Sequence, residues 1–72
     1  MSEITLAMMA DEMAREIAIR QSVYPGLIAR GKMREADARH RIEIMQAAHK
    51  LLLRLRDEQE IRENAAISNK IS

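Results

Sequence analysis

The only proline and both glycines of this chain, Pro25, Gly26 and Gly31, fall within seven consecutive positions, and the segments on either side contain no backbone breaker. Such a chain has one place to turn. The first segment, about Ser2 to Val23, opens on a plausible N-cap at Ser2 and sets acid before base at four-residue spacing in Asp11/Arg15 and Glu16/Arg20. The second, about Arg34 to Ala66, repeats the device in Glu35/Arg39, Asp37/Arg41 and Glu58/Arg62. Each pair contributes only about 0.2–0.5 kcal/mol, but the spacing belongs to a helix, and the alternation of a strand is missing. Tyr24-Pro25-Gly26-Leu27-Ile28-Ala29-Arg30-Gly31 reads as a break followed by one short helical turn, with Gly31 as its left-handed stop.

The fold expected is all-α: a helical hairpin with a short bent connector, in the order long helix, short helical turn, longer helix. It forms one domain over residues 1–67, with a C-terminal tail, 68–72, that frays. The core is thin, because 11 of the hydrophobic residues are Ala and the larger ones are mainly nine Ile, six Leu and six Met. Chains below roughly 70–80 residues rarely hold together on core burial alone. With no Cys, disulfides are excluded.

Advancing 100° per residue along the second helix gathers Ala38, Ile42, Ile44, Met45, Ala48, Leu51, Leu52, Leu53 and Leu55 on an arc of roughly 200°. One partner helix needs only about 100°, so a second partner is expected. On the first helix, Leu6, Met9, Ala10, Met13 and Ile17 take the inner face, while Met8 and Ile19 lie elsewhere. The surplus fits a homodimeric helical bundle with Leu6, Met13, Ile17, Ile42, Met45, Leu51, Leu52 and Leu55 on its core or dimer face. It also fits docking of a different protein on Met8, Met9 and Ile19, since thioether side chains repack readily.

Charge falls in blocks: residues 1–29 carry two Arg against four acids, 30–56 eight Lys or Arg against three, and 57–72 two against four. The basic residues Arg30, Lys32, Arg34, Arg39 and Arg41 cluster at the bend and the start of the second long helix, where an acidic protein or a phosphate backbone could bind. Arg41 lies near the apolar arc and is placed to meet an acid across an interface. Glu35, Asp37 and Glu43 interrupt the cluster, and the sole aromatic, Tyr24, makes no stacking platform, which sets nucleic acid behind protein as a partner.

No catalytic constellation, metal site or cofactor is expected. His40 and His49 are nine residues apart and so on opposite sides of one helix, and no Gly-rich phosphate loop or nucleophile elbow occurs. No uncharged stretch approaches the roughly 20 apolar residues of a membrane span. The opening Met1-Ser2-Glu3 lacks the basic start of a secretory signal, so a cytoplasmic location is expected.

Glu12-Met13-Ala14-Arg15-Glu16-Ile17-Ala18-Ile19-Arg20, then Val23-Tyr24-Pro25, Gly31-Lys32-Met33, Glu35-Ala36-Asp37 and Arg41-Ile42 form a pattern that resembles short uncharacterised bacteriophage and prophage proteins, across roughly residues 10–50. The resemblance implies a compact helical protein of phage origin in a bacterial host and supplies no catalytic residues. Related members tend to carry Ser or Thr where this chain has Arg34, which removes a cap from the last helix. The function expected is a small non-enzymatic interaction or regulatory module that binds a host or phage protein. The alternative is a small nucleic-acid-binding helical dimer using the basic connector and the start of the second long helix.

Overall fold

A computed structural model describes the backbone of residues 3–71 and the side chains of residues 3–65. Two helices, α1 (Leu6–Ala29) and α2 (Glu35–Ile71), form an antiparallel hairpin. At about 1.5 Å per residue they are about 36 and 55 Å long, so α2 projects roughly 20 Å past the start of α1. The molecule is correspondingly flat and long, 63 × 27 × 13 Å. None of the described helices is long and apolar enough to cross a membrane.

α1 begins later and ends later than its sequence suggests. Thr5, not Ser2, is the N-cap: its backbone is extended, and its side-chain oxygen accepts from the Met8 amide at 3.1 Å. At the other end, the helix runs straight through Pro25, and the expected bent connector with its separate helical turn is instead the last part of α1. The proline ring removes only one donor, the one that would reach Gln21. The turn beyond it is held because Leu27 and Ile28 are half-buried on the hairpin seam.

The stop at Gly31 is where the sequence puts it. Gly31 has φ +70°, its amide donates to the Ile28 carbonyl at 3.0 Å, and the Lys32 amide donates to the Leu27 carbonyl at 2.9 Å. This pair of bonds is a Schellman motif, which satisfies carbonyls that the helix end would leave bare. Three residues after Gly31, Arg34 stands in the N-cap position of α2, its carbonyl accepting from the Ala38 amide at 3.0 Å. An arginine side chain cannot accept a bond there. Glu35 and Asp37 in the first turn supply negative charge to the helix start instead. The helix continues to Ile71, and the end expected to fray, 68–72, falls on side chains outside the described residues.

Both helices meet along positions spaced alternately four and three apart: Leu6, Ala10, Met13, Ile17, Arg20, Tyr24 and Leu27 on α1, and Ala38, Ile42, Met45, His49, Leu52 and Arg56 on α2, all buried or half-buried. That spacing is the knobs-into-holes repeat of a coiled coil. Met9, placed on the inner face by the sequence reading, is exposed, because the seam passes through Ala10 and Met13 and leaves it to one side.

Two substitutions test the connector. Gly31→Ala has open space for its methyl group but must hold a left-handed backbone, and is expected to lower stability by about 1 kcal/mol in urea denaturation at fixed protein concentration. Pro25→Ala restores the missing donor and is expected to raise stability by about 2 kcal/mol, the helix-interior penalty less the entropy returned to the unfolded chain.

Candidate interaction surface

The buried side chains among the described residues are Ala10, Ile17 and Ala38, of which only Ile17 is large. The hairpin therefore has a seam but little interior, and its apolar residues lie largely outside. Ile44 is 56% exposed and Leu51 46%, although both belong to the α2 arc; Ile19, Val23, Met8 and Met9 are exposed on α1. Ile42, Met45 and Leu52, with Leu6 and Met13 opposite, are half-buried on the seam, and Leu55, also half-buried, lies to the other side, so the arc divides into a covered flank and an open one.

The open flank has its own order. On α2, positions 37, 41, 44, 48, 51, 55, 58 and 62 again alternate by four and three, and they lie about 110° around the helix from the seam. Reading along them gives Asp37, Arg41, Ile44, Ala48, Leu51, Leu55, Glu58 and Arg62, an apolar centre between two charged ends. On α1, Met9, Glu12, Glu16, Ile19 and Val23 form a similar stripe about 100° from its seam. The offset has the same sense on both helices, and in an antiparallel pair that puts the two stripes on the same side. Met9, Ile19, Val23, Ile44 and Leu51 thus share one broad face of a thin slab. Met8 does not join them; it lies on the far side of α1 from the seam. Val23 went unrecognised in the sequence reading, although its seven-residue steps from Met9 through Glu16 mark the stripe.

Polar side chains occupy parts of the seam. Arg20 pairs with Glu16 one turn earlier, and the neighbouring carboxylate raises the guanidinium pKa above its ordinary value, against the opposing effect of partial burial. Arg56 reaches Asp57 at 3.3 Å while its Nε is enclosed without a hydrogen-bond partner. His49 is half-buried on the seam and His40 exposed opposite it, as their spacing requires. Among the described residues, no three His, Asp or Glu side chains gather closely enough to hold a metal ion.

The basic residues at the connector are all exposed, but two are already engaged: Arg30 Nε donates to the Gly26 carbonyl at 3.2 Å, and Arg39 pairs with Glu35 at 3.5 Å. Lys32 and Arg34 flank a shallow groove with Asp37 among its walls. Arg15 pairs with Glu12, not Asp11, and the expected pairs Asp37/Arg41 and Glu58/Arg62 do not form, leaving those four charges without an ion pair among the described residues. An open cleft of about 370 Å³ near the connector is lined by Tyr24, Ile28, Ala38 and Ile42. No protein-family model, curated protein or solved structure matches this chain.

The role of the seam histidine can be measured directly. His49→Leu fills a seam position with an apolar side chain and is expected to raise stability by about 1 kcal/mol in urea denaturation. A loss of similar size would mean that the imidazole holds a specific partner.

Proposed function

We propose that this chain is a small non-enzymatic interaction or regulatory module that works by presenting helix surface to another protein chain in the cytoplasm of a bacterial host. The observation that carries this reading is the exposure of Met9, Ile19, Val23, Ile44 and Leu51 on one broad face, with Glu12 and Glu16 lying between Met9 and Ile19. A single exposed apolar residue needs no explanation, but five on one side of a slab 13 Å thick form a patch of the kind found at protein contacts. The sequence resemblance to phage and prophage proteins supports a phage origin, and redirection of a host or phage protein is the role we assign.

Nucleic acid is the second reading, favoured by the exposed Lys32, Arg34 and Arg41. It is weaker because the remaining connector arginines are occupied within the chain and Asp37 shares the groove. Tagged chain incubated in a bacterial lysate separates the two. Protein capture is expected to survive nuclease and about 0.5 M salt, to be lost in Leu51→Asp and to persist in Lys32→Ala/Arg34→Ala. Capture that disappears with nuclease, or that depends on Lys32 and Arg34 and falls steeply with salt, would transfer the function to nucleic acid.

A further inference from the structure

We infer that the occupant of the apolar face is a second copy of this chain, and that α2 of each copy packs antiparallel to the other about a two-fold axis passing between Ala48 and Leu51. The inference rests on reading that face as a protein-binding surface and names what it binds; a host or phage protein then meets the assembled dimer, and Leu51→Asp abolishes its capture by undoing that assembly.

The charge order along the outer stripe of α2 is the first argument. An antiparallel pairing centred between Ala48 and Leu51 sets Ile44 against Leu55 of the second copy and Ala48 against its Leu51. Outside this apolar centre it sets Arg41 against Glu58 and Asp37 against Arg62, opposite signs at every charged step. A parallel, in-register pairing would set each of these charges against itself. These four side chains make no ion pair within their own chain among the described residues, so they are available to a partner. The same register lays the acidic stretch Asp57, Glu58, Glu60 and Glu63 alongside the basic start of the other α2.

The stripe on α1 gives a second argument. Tyr24 and Ile42 line one cleft near the connector, and Leu6 and Gln59 line one groove at the open end, so Glu16 lies level with His49 and Lys50. The axis fixed by the α2 charges therefore crosses α1 at Glu16, which is the midpoint of its own stripe. It sets Met9 against Val23 of the second copy and brings the two Glu16 side chains together at the axis, each already paired with Arg20 of its own chain. Two stripes with unrelated residues thus share one centre of symmetry.

Area is the third argument. The chain exposes 5999 Å², whereas a compact monomer of its mass would expose about 4600 Å². Stripes about 100° from each seam also meet the geometry of a four-helix bundle, in which every helix has two neighbours.

Light scattering and sedimentation of the purified chain over a concentration series are expected to show a dimer. Arg41→Glu and Glu58→Arg, both at exposed positions, are each expected to keep the helical circular dichroism and to weaken dimerisation on the order of tenfold, because each makes two like-charge contacts. An equimolar mixture of the two variants restores both contacts and is expected to return to wild-type affinity as a heterodimer. A dimer whose mixture does not recover would overturn the antiparallel α2 pairing. A helical monomer at about 100 μM would overturn self-association; if Leu51-dependent protein capture persisted, the interaction reading would stand with a different occupant, and if capture also failed, both would fall.

Discussion

The whole hairpin depends on one line of contact, the seam in which Ala10 and Ala38 let the helices approach and Ile17 fills the space between. Small residues at a helix crossing bring the backbones close, and the half-buried Leu6, Met13, Tyr24, Ile42, Met45 and Leu52 extend the contact along the length of α1. Among the described residues, the connector is the one other link between the helices. On α2 a second stripe with an apolar centre runs beside the seam.

The seam is also less apolar than a coiled coil built for stability alone. Arg20, His49 and Arg56 sit at its repeat positions, and each keeps a polar head partly in water while its stem packs. Replacing such residues by leucine would deepen the core, but it would also make the two stripes alike. The polar seam and the apolar outer stripe on α2 differ enough in composition that the helices have one way to pair within the chain.

Much of this architecture was legible in the residues. Gly31 could be read as the turn because a left-handed backbone suits little else. Three details were not. Pro25 looked like a break, but the burial of Leu27 and Ile28 beyond it is a tertiary effect that local preference does not contain. Thr5 displaced Ser2 as the cap because both can serve and only the packed helix selects between them. Glu12 took Arg15 from Asp11 because three- and four-residue spacings are nearly equivalent on a helix surface. The candidate surface was legible in kind: Met8, Met9 and Ile19 are exposed as read, while Val23 was overlooked and Met8 lies off the line of the others, because a helix face is defined only once the seam is known.

The connector joins the helices at one end only, and this gives the molecule a graded resistance to opening. Contacts at Tyr24 and Ile42 close a loop of 17 residues, whereas those at Leu6 and Gln59 close one of 52. The entropic penalty of loop closure rises by about 1 kcal/mol between these levels. The hairpin therefore behaves as tongs with a stiff hinge at the Schellman turn and a labile mouth, and backbone amides nearest Thr5 exchange with solvent long before those around Ile28 and Ala38.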